Sequence, residues 1–511
     1  MTKKPRYPTL LAAAFFSLAI AGTCTGPGAE VRAPAVSGQF YPADPIKLRL
    51  AIQQFLKDAV PPMQENPIAI IVPHAGYIYS GQICADGYRQ AAGNACDLVV
   101  ILGTNHTTAN FNGISIFPKG AFQTPLGNAI VDEDAARVLL ARDKDCTVDV
   151  KPQEREHSVE VQVPFVQVVF PSAKILPIVI GQPDLNMCTH FGQELGKTLK
   201  GRKALIVASS DLSHYPAYQD AVRADRETLR SLIRIDPREF AAKIRATLSS
   251  GIPNLETCAC GEAPILAAMA AARELGATRG AVVSYANSGD GSAGDLARVV
   301  GYGAAVLTGG KAPPNAKALD PAQVPAADTL LQTADKKTLL SIARESLRRF
   351  ITTDTVPLVR SVSPRLQSPQ GAFVTLKKHG ELRGCIGHIP PDFPLARAVG
   401  AMALQAAFGD TRFPQLALSE LEEVEIEISV LTPMIPIARV QDIVVGRDGV
   451  VISKNGKSAV FLPQVAVEQK WGRTELLDNL CIKAGMARDS WKEGAQFFVF
   501  QAIVFDESQF K

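Results

Sequence analysis

The sequence has no run of basic residues interleaved with aromatic ones, and its formal net charge is only +3 over 511 residues. This composition gives no indication of nucleic-acid binding. Cysteine is also scarce, because nine residues are spread along the chain and only Cys258 and Cys260 lie close together. The distribution excludes a dense disulfide framework, although single pairs could still form in an oxidising compartment.

Long apolar runs are missing beyond the N-terminus, so we expect no membrane-spanning helix in the mature chain. The N-terminus itself has Lys3, Lys4 and Arg6 before an apolar run at 10–21, and "AIAG" then offers a small-residue cleavage site. This pattern predicts a secretory signal over residues 1–24 and an exported, periplasmic protein. Cys24 leaves a lipid-anchored form open. Thiols stay reduced in the cytoplasm, which would favour a cytoplasmic location for a protein with free cysteines. The signal pattern is the stronger indication.

Strand-like and helix-like segments alternate over the first three hundred residues. Near-continuous apolar runs predict strands buried on both faces, and they lie at 68–72, 98–102, 174–180, 204–208 and 281–285. Helix-like stretches such as 46–56, 220–233 and 264–275 lie between these runs. The alternation predicts a layered α/β domain over 34–309.

A stretch rich in proline and alanine, 310–334, predicts a linker to a second unit. The second unit, 335–508, begins with an amphipathic helix at 335–351. Strand patterns follow near 372–376 and 424–431, and a turn-rich segment around 446–456 precedes a closing strand near 496–504. We therefore expect a smaller α+β domain after the linker.

Three of the seven histidines follow buried-strand patterns. His74 lies in "IAIIVPHAGYIYSG", His106 in "LVVILGTNH", and His214 in "ALIVASSDLSHY". In an open α/β sheet the loops at the carboxyl ends of the strands meet in one crevice, so these imidazoles could converge. Converging neutral imidazoles are typical of iron, copper or zinc sites. Asp211 could orient His214 or act in acid–base chemistry.

The candidates for a further metal ligand are Cys260 and Glu262. Both lie in "CACGEAP", just before a predicted helix at Pro264. A helix N-terminus favours the thiolate, so we expect a lowered pKa for Cys260. The sequence around His157, "EREHSVEVQ", indicates a helix cap or a pair with a neighbouring glutamate, Glu154 or Glu156.

The motifs "VPHAGYIYSG", "LGTNHT", "FQTPLG", "EREHSVEVQVPF", "SSDLSHY" and "CGEAPI" resemble, in this order, those of the Memo family. The family is also called AmmeMemoRadiSam system protein B, and its fold is similar to that of class III extradiol dioxygenases. The resemblance implies metal ligation by His74, His106 and Cys260, with His214 as a further pocket histidine and Asp211 beside it. Tyr79 is a candidate for the substrate pocket, although packing is the alternative.

The implied metal is Fe(II) or copper. A cysteine in place of the dioxygenase carboxylate is a softer ligand, which puts ring cleavage in doubt and suits Fe(II) or Cu(I). Glu262 as a substitute carboxylate is an alternative.

The second unit resembles the AMMECR family, AmmeMemoRadiSam system protein A, in "GAFVTLKKHGELRGCIGHI", "FGDTRFPQLALSEL" and "LPQVAVEQKWGRTELLDNLCIKAG". Its most recognisable element is "LRGCIG" at 382–387. There, Arg383 could depress the pKa of Cys385 and create a reactive thiolate, with His388 as a possible partner. The alternative is a buried cysteine beside a structural arginine. A radical-SAM protein of the same system is an implied partner.

Three functions remain open at this stage. The first is a metal-dependent oxidoreductase acting on a small molecule or a peptide. The second is a non-enzymatic protein that binds copper, iron or peptides, and the third is a hydrolase that uses metal-bound water.

Overall fold

The computed structural model describes residues 31–63, 66–182, 184–291, 295–309, 331–360 and 362–510. The predicted signal at 1–24, Cys24 and most of the predicted linker at 310–334 lie outside these residues. Within the described ranges, no helix has the length and apolarity needed to cross a bilayer.

The N-terminal unit is built on a mixed sheet. Its described strands are β1 (Val31–Arg32), β2 (Ala69–Val72), β3 (Leu98–Thr104), β4 (Ile114–Ile116), β5 (Ala121–Thr124), β6 (Gly127–Ile130), β7 (Cys146–Thr147), β8 (Lys174–Ile180), β9 (Ala204–Ser209), β10 (Arg279–Asn287) and β11 (Gly301–Thr308). Eight of these form one sheet in the order β10-β11-β2-β9-β3-β8-β4-β7, and β1, β5 and β6 form a small second sheet.

The centre of the large sheet is parallel, since β2, β9, β3 and β8 are neighbours running in one direction. Strand β3 is buried along its whole length, as its near-continuous apolar sequence predicts. It runs two residues beyond the predicted end because Gly103 and Thr104 still pair with β8. The carboxyl ends of β2, β9 and β3 therefore meet at one edge of the sheet.

Helices cover both faces of this sheet. They are α1 (Pro45–Asp58), α2 (Tyr77–Ala91), α3 (Glu133–Arg142), α4 (Lys151–Glu154), α5 (His157–Glu160), α6 (Val163–Val169), α7 (Leu185–Leu199), α8 (Tyr218–Leu232), α9 (Pro237–Leu248) and α10 (Glu262–Glu274). Alternate β2 residues point into different cores: Ile71 packs with α7 and α10, and Ile70 packs with α1 and α2. The predicted layered α/β domain is confirmed.

Helices α7 and α10 touch through small residues. A methyl group added at Gly192 would lie 2.3 Å from the Ala267 carbonyl oxygen, so the two backbones approach closely there. Helix α10 begins at Glu262 and not at Pro264 as predicted. Because α10 packs closely against α7, the start of α10 is held at the edge of the sheet. Cys260 lies two residues before that start and is held there with it.

The C-terminal unit contains helices on two small antiparallel sheets, so the second mixed domain is confirmed. Its elements are α11 (Thr333–Thr353), α12 (Pro364–Gln367), β12 (Ala372–Lys378), β13 (Glu381–His388), α13 (Leu395–Leu404), β14 (Val424–Leu431), β15 (Ile435–Ile437), β16 (Gly449–Lys454), β17 (Lys457–Phe461), α14 (Pro463–Glu468), α15 (Arg473–Lys483), β18 (Gln496–Phe500) and β19 (Ala502–Asp506). The sheet orders are β13-β12-β14-β19 and β15-β18-β16-β17.

Two predictions for the C-terminal unit need correction. The single closing strand expected near 496–504 is two strands, β18 and β19, which belong to different sheets. The turn-rich segment around 446–456 contains the hairpin β16–β17, with Asn455 and Gly456 at positive φ in its turn. At Gln501 the chain passes between the sheets beside Thr432, with which it exchanges hydrogen bonds of 2.8 Å in both directions.

Ion pairs connect the two units. Arg360 contacts both carboxylate oxygens of Asp86, at 3.1 and 2.5 Å, and the Asp86 side chain is fully buried on α2. Asp86 also accepts hydrogen bonds from Ser284 and from the backbone of Val60. A more exposed pair joins Lys47 to Asp354 at 2.9 Å. Arg360 of the C-terminal unit thus pairs with the buried Asp86 carboxylate of the N-terminal unit.

Candidate metal centre

His74 lies in the short loop between β2 and α2 and is 2% exposed. The loop is held by Asp211, whose Oδ1 accepts hydrogen bonds from the backbone N–H of His74 (2.8 Å) and of Ala75 (3.2 Å). Because Asp211 follows β9, the neighbour of β2, the sheet itself brings the carboxylate to this loop.

Ser209 determines the tautomer of His74. The Ser209 hydroxyl donates to the Ser158 carbonyl (2.6 Å), so its oxygen can only accept from Nε2 of Gln162 (2.9 Å) and Nδ1 of His74 (3.1 Å). Nδ1 of His74 therefore carries the proton, and Nε2 keeps its lone pair. Nε2 lies 3.1 Å from Sγ of Cys260, so a metal-binding nitrogen faces a thiol.

His106 follows β3 and is oriented by Glu156. Nδ1 of His106 lies 3.0 Å from Oε1 of Glu156, and its backbone N–H donates to Oε2 at 2.6 Å. The carboxylate also caps α5 through the backbone N–H groups of His157 and Ser158. Burial alone raises the pKa of Glu156, but the bond to His106 and the other donors bring it down to about 2. The charged carboxylate leaves Nε2 of His106 free for a metal, an arrangement common around metal-bound histidines.

His157 is a third imidazole in the same place. Its ring centroid is 4.7 Å from that of His106 and 5.3 Å from that of His74, and its Nδ1 lies 3.3 Å from Oε1 of Glu156. Burial lowers its pKa to about 4, so the ring is neutral. The sequence indicated a cap or a glutamate pair, and the pair with Glu156 is present. The position beside two other imidazoles was missed, because no strand pattern precedes His157.

Two groups of potential metal ligands have donor atoms within 4.8 Å of one another among the described residues. One consists of His74, His106 and His157, and the other of His74, Asp211 and Cys260. The trio expected from the sequence is thus divided: His106 and Cys260 fall in different groups, and His74 is common to both.

The predicted role of Asp211 changes. Its carboxylate accepts backbone hydrogen bonds from the His74 loop, whereas the sequence offered two other roles, orienting His214 or acting in acid–base chemistry. Burial raises the pKa of Asp211 to about 6. His214 lies on the neighbouring loop with its Nε2 buried and without a hydrogen-bond partner among the described residues, and burial lowers its pKa to about 4.

The expected activation of Cys260 by a helix N-terminus is wrong for the metal-free chain. Removal from water, with the charge of Asp211 adding, raises the pKa of Cys260 well above its usual range. Its neighbour Cys258 is a free, buried thiol. Glu262 is the first residue of α10 and belongs to neither ligand group, and burial raises its pKa to about 7.

The two tyrosines after His74 have different environments. Tyr77 is buried, and its hydroxyl donates to the Val161 carbonyl at 2.7 Å, which is a packing role. Tyr79 lies on the first turn of α2 and is 42% exposed, so its side chain is accessible near the His74 loop.

The "LRGCIG" motif forms part of β13, and its arginine does not activate its cysteine. Arg383 binds both oxygens of Glu420, at 3.0 and 2.8 Å. Burial raises the pKa of Cys385, whose Sγ accepts a hydrogen bond from Thr375. His388 contacts Asp392 instead of the thiol. Of the two interpretations that the sequence left open, these contacts fit a buried cysteine beside a structural arginine and do not fit a reactive thiolate.

The fold and site define an α/β protein with a histidine- and cysteine-lined candidate metal centre at the carboxyl edge of its sheet. The Memo-like protein family model matches residues 32–306, and the chain belongs to this family. A second family model, AMMECR1, matches residues 340–505, so an AMMECR1 domain follows the Memo-like domain.

Curated relatives named MEMO1 family proteins match about half of the chain, and a solved structure matches a third of it. A MEMO1 family protein from Nitrosopumilus maritimus is 34% identical over 54% of this chain and 98% of its own length. One from Aquifex aeolicus is 37% identical over 53% of this chain and 97% of its own length. The crystal structure of an uncharacterized protein from Pyrococcus horikoshii matches with a TM-score of 0.32, 36% identity, and coverage of 33% of this chain and 89% of that one.

Proposed function

We propose that the chain is a metal-dependent redox protein of the AmmeMemoRadiSam system, with iron or copper held by His74, His106 and Cys260. One observation carries the proposal: Ser209 holds the His74 ring through Nδ1, and the unprotonated Nε2 lies 3.1 Å from Sγ of Cys260. An imidazole nitrogen beside a thiol is a typical pair of metal ligands. The second imidazole, His106, is oriented by the carboxylate of Glu156, as metal-bound histidines commonly are.

The residues fit a metal ion on a further ground. Nε2 of His214 is buried without a hydrogen-bond partner among the described residues. Buried polar atoms almost always have a partner, and a metal ion would supply one here. An iron or copper ion, when bound, would supply one-electron chemistry and open coordination positions for a substrate.

The chain's own residues would prepare the site for that ion. Cys260 is a protonated thiol without metal, so binding must release its proton. Burial lowers the pKa of His214 to about 4, so its imidazole is neutral near pH 7 and can accept a proton. Tyr79, exposed at the first turn of α2, would contact the substrate.

Metal analysis of anaerobically purified protein tests the ligand assignment. We expect His74→Ala, His106→Ala and Cys260→Ser each to reduce bound iron or copper, because each removes a donor atom. His190→Ala is the matched control, since His190 is an exposed residue of α7. Unchanged metal content in all three site variants would refute the assignment.

Oxygen uptake separates the enzymatic proposal from its alternatives. Metal-dependent uptake with a small-molecule or peptide substrate supports an oxidoreductase. Stoichiometric Cu(I) binding without uptake over a substrate panel would instead assign a metal-binding protein, which the Cys260 thiol also suits. Activity that persists with Zn(II) under argon would assign a hydrolase. A radical-SAM protein is the partner that we propose to test by co-purification.

A further inference from the structure

We propose that His157 is a metal ligand, and that His74, His106 and His157 form a three-imidazole set that is occupied as an alternative to the set containing Cys260. The inference rests on the proposed function, because it assumes that the N-terminal unit binds a metal. It goes further by adding a ligand and by assigning different metals to different donors.

The three imidazoles are close and are supported by one carboxylate. Their ring centroids lie 4.7 to 5.3 Å apart, and their donor atoms lie within 4.8 Å of one another. Glu156 contacts Nδ1 of both His106 and His157, at 3.0 and 3.3 Å. Each of these rings therefore turns its other nitrogen away from the carboxylate, as metal-bound histidines do.

The His157 ring is also held from outside the cluster. It packs against Phe40 with ring centroids 4.8 Å apart, and its backbone N–H is fixed by Glu156 as part of the α5 cap. Because both contacts fix the ring without using its second nitrogen, the imidazole is positioned for a ligand before one binds.

The two donor sets exclude each other through His74. Nδ1 of His74 is hydrogen-bonded to Ser209, so only Nε2 can bind a metal. His74 belongs to both sets, and its one free nitrogen can serve only one ion at a time. One chain therefore holds one ion at this site, with either His157 or Cys260 as a ligand beside His74.

Ligand softness decides which set an ion takes. Three neutral imidazoles suit Zn(II), whereas a thiolate selects Cu(I). Binding of Cu(I) forms a copper–sulfur bond, breaks the S–H bond of Cys260 and releases that proton to solvent. We therefore expect Zn(II) among the histidines and Cu(I) beside the cysteine.

Competition titrations of the full-length, metal-free protein with Zn(II) and with Cu(I) test this assignment. His157→Gln should weaken Zn(II) binding by about tenfold or more and leave Cu(I) affinity close to wild type. Cys260→Ser should give the opposite pattern. His190→Gln, an exposed site, is the matched control for the histidine change and should bind both ions normally.

Two outcomes overturn the inference: unchanged Zn(II) affinity in His157→Gln, or equal losses of both metals in His157→Gln and Cys260→Ser. The proposed function fails separately, if His74→Ala keeps full affinity for both ions. X-ray absorption on the wild-type protein needs no variant. It should find only nitrogen and oxygen around Zn(II) and sulfur beside Cu(I), and sulfur in the Zn(II) shell would refute the three-imidazole set.

Discussion

Ser209 illustrates how one hydroxyl can set the chemistry of a whole site. Its single proton is committed to the Ser158 carbonyl, which forces the proton of His74 onto Nδ1. Without that hydroxyl, the His74 ring loses the acceptor that selects its tautomer. A residue that orients a ligand can therefore control metal binding without touching the metal.

Ser209→Ala should lower metal affinity by about 10- to 100-fold, the usual effect of removing a group that orients a metal-bound histidine. Affinity is measured by competition with a chromophoric chelator. Ser346→Ala is a matched control, because Ser346 is buried in the C-terminal unit and its hydroxyl has no hydrogen-bond partner among the described residues. Equal affinity of Ser209→Ala and wild type would contradict the tautomer argument.

Asp225 gives a pH-dependent prediction. Its buried carboxyl accepts hydrogen bonds from Ser213 and Tyr285, yet burial raises its pKa from 3.8 to about 7. The folded state thus holds a proton that the unfolded state loses. The contribution of this proton to the free energy of unfolding is complete below about pH 4 and is lost as the pH rises to about 7. Over that range the free energy of unfolding falls by up to about 1.4 kcal/mol per pH unit.

Urea unfolding of wild type and Asp225→Asn across this pH range checks the prediction. The free energy of unfolding of wild type should fall relative to the variant as pH rises, because asparagine does not titrate. Parallel pH profiles for the two proteins would show that Asp225 has an ordinary pKa.

At the scale of residues, the sequence was informative where a motif lay at the end of a strand. His74, His106 and His214 were all expected at one sheet edge, and the structure brings their loops there. The sequence missed His157 and Ser209, because their roles depend on which segments meet across the sheet. It also misjudged Cys260, since the effect of burial on a thiol is invisible before the fold is known.

Among the secondary-structure elements, the packing of α10 against α7 fixes the position of the Cys260 loop. The contact depends on Gly192, where any side chain would meet the backbone of Ala267. Strand predictions succeeded in the parallel core, where long apolar runs are unambiguous. They failed for the closing strand near 496–504, because periodicity alone does not reveal that a strand bends from one sheet into another.

Gly192→Ala should destabilise the N-terminal unit by about 1–3 kcal/mol, because the added methyl would lie 2.3 Å from the Ala267 carbonyl oxygen. Chemical denaturation measures the change. Gly113→Ala is the control, since its added methyl would have 3.7 Å to its nearest neighbour. If both variants unfold like wild type, the two helices are less tightly packed than described.

At the scale of the whole molecule, the two units share an electrostatic interior. Arg360 lies in the segment between α11 and α12, and it reaches a carboxylate that is fully buried on α2. That helix follows the His74 loop directly, so the C-terminal unit supports an element of the candidate metal centre. The sequence predicted two domains but could not predict this contact, because it joins residues far apart in the chain.

Arg360→Gln should cost about 3–5 kcal/mol, because it leaves the Asp86 carboxylate buried without a cation. Calorimetry should record this loss as a lower unfolding temperature. Lys47→Gln removes a solvent-exposed pair and should cost less than about 1 kcal/mol. The double variant Asp86→Asn with Arg360→Gln should be more stable than Arg360→Gln alone, and failure of that rescue would argue against the charge explanation.

Export is a further prediction for the molecule as a whole. We expect processing near residue 24 and recovery of the protein from the periplasmic or membrane-anchored fraction, because the N-terminus has the pattern of a secretory signal. Mass spectrometry of the mature N-terminus distinguishes simple cleavage from lipidation at Cys24. Recovery of only full-length protein from the cytoplasm would overturn the localisation.

The crossing of the chain at Thr432 and Gln501 has a mechanical consequence. Strands β14 and β15 run beside β19 and β18, so one continuous two-stranded ribbon enters both sheets of the C-terminal unit. A force that separates the two sheets must bend or break this ribbon. Backbone amides in both sheets should therefore exchange with deuterium as one cooperative unit.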